Sequence, residues 1–162
     1  MAQFSPNHAR LLGIRSTRLT RGVARGAGLA RAIGPAKQPA ARAVYGHSFG
    51  GLFGFYTLFS HPCLFQRIIS LSPSLWYADR YILRLEKNKF SEGMRLPSVL
   101  YTAVGEKEPD YFVKDWNDLV QQVKARRYSE LLMEAEVLEG EDHRSLFGTA
   151  FTKGMRFIFS NP

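Results

Sequence analysis

Gly46-His47-Ser48-Phe49-Gly50 is the segment of this 162-residue chain whose residue types and spacing most directly support chemistry. A serine hydroxyl is a weak nucleophile until a base removes its proton and the backbone exposes its oxygen. The G-x-S-x-G spacing supplies the exposure. A strand ends at the first glycine and a helix begins at the second. The serine is forced into a sharp turn in which side chains two residues to either side would strike the neighbouring backbone. Gly51 and Gly54 extend the close packing of the helix. Its N-terminus aims unpaired N–H groups and the positive end of its dipole at the reacting oxygen, which makes the Phe49 N–H the expected oxyanion donor. Glycine is common enough for the bare pattern to arise by chance. Its position between a strand and an apolar helix marks Ser48 as the candidate nucleophile.

In a strand-turn-helix hydrolase of this type the chain order is serine, acid, histidine. His143 stands in Glu139-Gly140-Glu141-Asp142-His143, a polar loop after the last strand, at the side where strand C-termini converge. His8 lies in the basic N-terminal tract, His47 inside the elbow itself, and His61 before Pro62 at a helix end. That leaves His143 as the expected base. The acid is expected after the strand Ser98–Val104, where Glu106, Glu108 and Asp110 are all available. Glu108 is the choice, to orient the imidazole and stabilise the imidazolium. Spacing does not separate it from its two neighbours.

The elements that must position these groups follow from the apolar pattern. Arg42–Gly46, Arg67–Ser72 and Ser98–Val104 read as short strands, the last apolar enough to be buried on both faces. Leu131–Leu138 alternates, as an edge strand does. Helices are expected over Phe49–Ser60, Ala78–Asn88 and Arg144–Phe159. A fourth carries Phe112, Trp116, Leu119, Val120 and Val123 at helical spacing. The pattern predicts an α/β fold: a mostly parallel sheet of about four strands with crossover helices.

The net charge of +8 is confined to one end. Residues 1–43 hold seven Arg and one Lys with no acid, whereas residues 44–162 hold 14 basic and 14 acidic residues. The folded part is therefore neutral and carries no nucleic-acid module, so neither nucleic acid nor a membrane is an expected partner. The apolar stretch 51–59 is too short to span a bilayer. Residues 1–41 are expected to be a basic, poorly structured or non-homologous segment, with the domain at 42–162. A transit-like leader, a basic tail and unrelated sequence are the competing readings of that segment. Cys63, the single cysteine, forms no intrachain disulfide and is compatible with a reducing, cytoplasmic setting.

From Val44 onward the chain resembles the esterase D and enterochelin (enterobactin) esterase-like α/β-hydrolases. The resemblance rests on GHSFGGLFGFYTLFSHPCLFQ, on SPSLWY after the second strand, on the VGEKE turn and on the GEDH loop, in that order. It implies the C-terminal portion of an α/β-hydrolase with a Ser48–Glu108–His143 triad and no metal or organic cofactor. It implies an acyl-enzyme on Ser48 formed from a small-molecule carboxylic ester, siderophore-type or otherwise. Ser72–Trp76 would border the pocket, with His47, Ser74 and Trp76 as substrate contacts. Family members carry strands before the elbow and a loop with a second oxyanion N–H, which residues 1–43 do not resemble. The strand Arg42–Gly46 is therefore expected to have an open outer edge, suited to homodimer formation. The alternatives are an acyl transferase on the same triad, or a catalytically impaired remnant or interaction fragment.

Overall fold

The computed structural model describes residues 30–33 and 42–161. Its centre is a five-stranded sheet in which each strand lies beside its predecessor: β1 (Ala30–Ile33), β2 (Ala43–His47), β3 (Arg67–Leu71), β4 (Arg95–Gly105) and β5 (Ser129–Leu138). The four strands β2 to β5 run parallel, with Val44 opposite Ile68, Ile69 opposite Tyr101, and Thr102 opposite Ala135. Four helices alternate with them: α1 (Phe49–Ser60), α2 (Tyr77–Lys89), α3 (Asp110–Arg126) and α4 (Leu146–Ser160). The expected α/β layer of four parallel strands with flanking helices is present.

Residues alternate across the pleat, so each strand feeds two cores. Val44, Ile68, Leu100 and Val104 pack with α1, α2 and α3, including Phe55, Ile82 and Trp116. Ile69, Leu71, Tyr101 and Ala103 face the other way, onto Leu146, Ala150 and Ile158 of α4. The helical stripe expected at Phe112, Trp116, Leu119, Val120 and Val123 is buried as a unit. At the β5 edge, Met133 and Ala135 turn inward to the first of these cores.

Two features differ from the sequence expectation. The outer edge of β2, expected open, is covered by β1, which pairs antiparallel with it from Ala30 opposite Gly46 to Ile33 opposite Ala43. Regular structure therefore begins before Arg42. The rest of the basic segment, including His8, lies outside the described residues. The second difference is at the start of α2. Ala78, Asp79 and Arg80 hold left-handed backbone angles, with φ of 49°, 54° and 57°. Such angles cost about 1–2 kcal/mol per residue for L-amino acids. Ion pairs flank the segment: Arg84 to Asp79 at 2.6 Å, and Arg80 to Asp115 at 2.9 Å and to Asp118. Arg84 also donates to the Ala78 carbonyl at 3.0 Å.

Further from the strand ends, α2 and α3 are joined through Glu86, whose side chain is fully buried. Its carboxylate accepts from Gln122, from Tyr128 Oη at 2.5 Å and from Arg126 Nε at 3.3 Å, while the Arg126 guanidinium lies 4.1 Å from the Phe90 ring. Removing the cation leaves a buried carboxylate without its counter-charge. Arg126→Ala should therefore lower stability by about 2 kcal/mol in urea melts. An unchanged urea midpoint would show that Gln122 and Tyr128 suffice alone.

Candidate active site

Four loops meet at the C-terminal ends of β2, β3, β4 and β5, where open parallel sheets place their ligands. The β2–α1 turn carries Ser48, with φ 59° and ψ −116°, a strained conformation for a residue with a side chain. A Cβ on Gly46 would overlap the backbone of Gly50, so only glycine permits the turn. The turn is held from the next strand: Ser48 N–H donates to the Leu71 carbonyl at 2.9 Å, and Ser74 N–H to the Ser48 carbonyl at 3.2 Å. Phe49 is the first residue of α1, so its N–H has no partner within the helix.

The acid and base loops are built against one another. Glu106 N–H donates to the Leu138 carbonyl at 3.0 Å and Lys107 N–H to the Glu141 carbonyl at 2.9 Å. The Glu106 carboxylate accepts from Gly140 N–H at 2.8 Å. A Cβ on Gly105 would lie 2.5 Å from the Glu141 carbonyl oxygen, so the loops approach as closely as backbone allows. Asp142 accepts from the N–H groups of Arg144 and Ser145, while Ser145 Oγ accepts from Asp142 N–H, a reciprocal cap that starts α4. Those N–H donors hold the Asp142 carboxyl below its usual value.

Within this frame Glu108 is buried, and its Oε2 accepts from His143 Nδ1 at 2.9 Å. Its Oε1 accepts from Gly105 N–H at 3.0 Å and from the Ser72 hydroxyl. Of the three carboxylates offered by the sequence, Glu108 is the one on the imidazole. Glu106 ties the loops together, and Asp110 opens α3. A carboxylate only accepts, so the hydrogen of His143 sits on Nδ1 and the lone pair on Nε2. Ser48 Oγ lies 3.1 Å from Ser74 Oγ. The structure thus brings Glu108 to His143 and Ser74 to Ser48, with no hydrogen bond between Ser48 and His143.

His47, expected as a substrate contact, reaches the loop that carries His143. Its Nε2 is 2.7 Å from the His143 carbonyl oxygen. Trp76 is 40% exposed and makes edge contacts with Phe49, Tyr77, Tyr111 and Phe112. Phe112 in turn lies edge-on to His143. An aromatic rim therefore runs from the elbow to the base. Ser72 was expected only as a border of the pocket, and its hydroxyl is instead found on the Glu108 carboxylate. Its signal is its position at the end of an apolar strand before Pro73, with φ 40° aiming its hydroxyl at the acid. Among the described residues no cluster of His, Cys, Asp or Glu suits a metal ion, and no helix is long and apolar enough to cross a membrane.

The fold is that of the α/β-hydrolases. The chain belongs to the Esterase family, whose model matches residues 29–144. The match begins ahead of Val44, where the sequence resemblance was placed, and takes in β1. The siderophore enterobactin esterase of Emericella nidulans is 32% identical over 142 residues, covering 72% of this chain and 46% of that protein. The siderophore triacetylfusarinine C esterase of Aspergillus fumigatus is 27% identical over 147 residues, covering 75% and 50%. The crystal structure of the BES protein from Bacillus cereus matches with a TM-score of 0.66 at 29% identity, covering 74% of this chain and 47% of that one. The chain thus spans about half the length of the curated relatives it matches.

Burial, and secondarily the neighbouring His143, lower the pKa of His47 from its ordinary value of 6.5. The unfolded chain therefore binds more protons at this site below 6.5 than the folded one does. The stability contributed by neutral His47 is complete above 6.5 and is lost as pH falls through its lowered value. The urea midpoint should accordingly drop between pH 7 and pH 5, less steeply in His47→Gln. Equal slopes for the two chains would remove His47 as the source.

Proposed function

We propose that this chain is a serine carboxylic-ester hydrolase working through an acyl-enzyme on Ser48. The observation that carries the reading is the 2.9 Å hydrogen bond from His143 Nδ1 to buried Glu108, set beside the strained Ser48 elbow. Substrate entry displaces the Ser74 hydroxyl as the partner of Ser48. Ser48 Oγ then rotates to His143 Nε2, a bond that forms as the reacting complex assembles. His143 takes the proton as Ser48 attacks the ester carbonyl, and Glu108 stabilises the imidazolium. The Phe49 N–H and the dipole of α1 stabilise the oxyanion. His143 returns the proton to the departing alkoxide, and water, deprotonated by the same imidazole, releases the acid.

The relatives named for siderophore esters suggest a polyfunctional small-molecule ester as substrate. The exposed rim of Phe49, Trp76 and Tyr111 supports one with planar or apolar groups beside the scissile bond. An acyl transferase would use the same residues with another acceptor. A second reading, a catalytically weakened remnant, is favoured by the Ser48 hydroxyl bonding Ser74 Oγ rather than His143.

A fluorophosphonate probe reports on the nucleophile and base without knowledge of the substrate. The folded chain should label at Ser48. Ser48→Ala should not label, and His143→Ala should label on the order of 10³-fold more slowly or worse. A folded parent chain that takes no label would sink the enzyme reading in favour of the remnant. Trp76→Ala should raise KM for aryl esters about tenfold with kcat nearly unchanged, since it removes binding shared by ground and transition states. A fall in kcat alone would place Trp76 outside substrate binding.

A further inference from the structure

His47 follows Gly46 at the end of β2, beside the nucleophile, yet its ring is spent on the base loop. The His143 carbonyl can only accept, so His47 Nε2 carries the hydrogen of that 2.7 Å bond. The two imidazole rings lie 4.4 Å apart, tilted by 47°, and the Phe147 ring stands edge-on to His47 at 6.0 Å. Those rings stack too closely for both to carry charge comfortably.

His143 needs such support because of where it hangs. Its loop leaves β5, and the ties on the loop's main chain fall at Gly140, Glu141, Asp142, Arg144 and Ser145, while the His143 ring bonds Glu108 through Nδ1 and meets Phe112 edge-on. The bond from His47 fixes the backbone of that same residue to the β2 strand that carries Ser48. His143 is thereby held at both ends.

We propose that His47 is a positioning residue for the base. Its neutral Nε2–H tethers the His143 carbonyl to the nucleophile strand, and its ring packs against the imidazole that must carry the transient positive charge. The catalytic consequence rests on the triad reading above, whereas the tether itself does not.

Two substitutions separate donor from ring. His47→Gln keeps an N–H of similar reach, and His47→Phe keeps a ring without a donor. His47→Asn, whose amide is too short to reach the carbonyl, takes the place of the Phe variant if that one does not fold. Labelling by the fluorophosphonate and turnover of p-nitrophenyl butyrate are measured together with the downfield NMR signal of the His143 Nδ1 proton, assigned by its absence in His143→Ala.

The donor-free variant should label on the order of a hundredfold more slowly, since small displacements of a catalytic group cost about that much. Its kcat should fall with KM nearly unchanged, and its Nδ1 signal should broaden by exchange with water. The Gln variant should stay within several-fold of the parent and keep the signal. Raised KM with unchanged kcat in both variants would make His47 a substrate contact and overturn the tether. So would a donor-free variant with the parent's Nδ1 signal, or a parent chain without that signal. If the folded parent does not label, the esterase reading fails, and the NMR comparison still decides the tether.

Discussion

Everything at the site depends on how closely the chain passes itself between Gly46 and Gly50. There is no room for a Cβ there, and the residue between them is held at positive φ. A turn of this kind does not persist alone, because an unsupported strained residue relaxes. It persists because the neighbouring strand closes on it from the side, through the Leu71 carbonyl below Ser48 N–H and Ser74 N–H above the Ser48 carbonyl. The parallel register of β2 and β3, with His47 opposite Leu71, sets those groups in place. Sheet register and nucleophile exposure are in that sense one constraint.

His143, the proposed base, is positioned by a different logic. β5 is an edge strand, held by hydrogen bonds on one side only, and the loop that follows it would be the least constrained segment of the site. Its anchorage is correspondingly dense. Glu106, Lys107, the closely approached Gly105, and the reciprocal cap between Asp142 and Ser145 all act within a few residues of His143. The acid loop is thus the support on which the base loop rests, as well as the source of Glu108.

Much of this was legible in the residues because the information is local. The elbow is five residues long, the α3 stripe repeats at helical spacing, and the order serine, acid, histidine follows from the crossovers of a parallel sheet. The parts that were not legible depend on distant partners. Ala30-Arg31-Ala32-Ile33 has no alternation to announce a strand, because its pairing with β2 is made by backbone groups. Ala78, Asp79 and Arg80 have no preference for left-handed angles, and the ion pairs of Arg80 reach across to Asp115 and Asp118 in α3. The family resemblance implied His47 as a substrate contact. Only the fold shows that His143 comes within its reach. Glu108 could be named among three carboxylates but not distinguished, since burial and the Ser72 hydroxyl distinguish it and neither is a property of the VGEKE turn.

The protons at the site form a consistent set. Every partner of Glu108 donates: the Ser72 hydroxyl, the Gly105 N–H and His143 Nδ1. A carboxylate so surrounded acts as acceptor only, which fixes the His143 hydrogen on Nδ1 and leaves Nε2 as the lone pair that faces chemistry. The His143 carbonyl in turn fixes the His47 hydrogen on Nε2. Burial and the adjacent imidazole disfavour a second positive charge on His47. On the proposed mechanism the one positive charge created as Ser48 attacks resides on His143, between a buried carboxylate that attracts it and a neutral ring that does not oppose it.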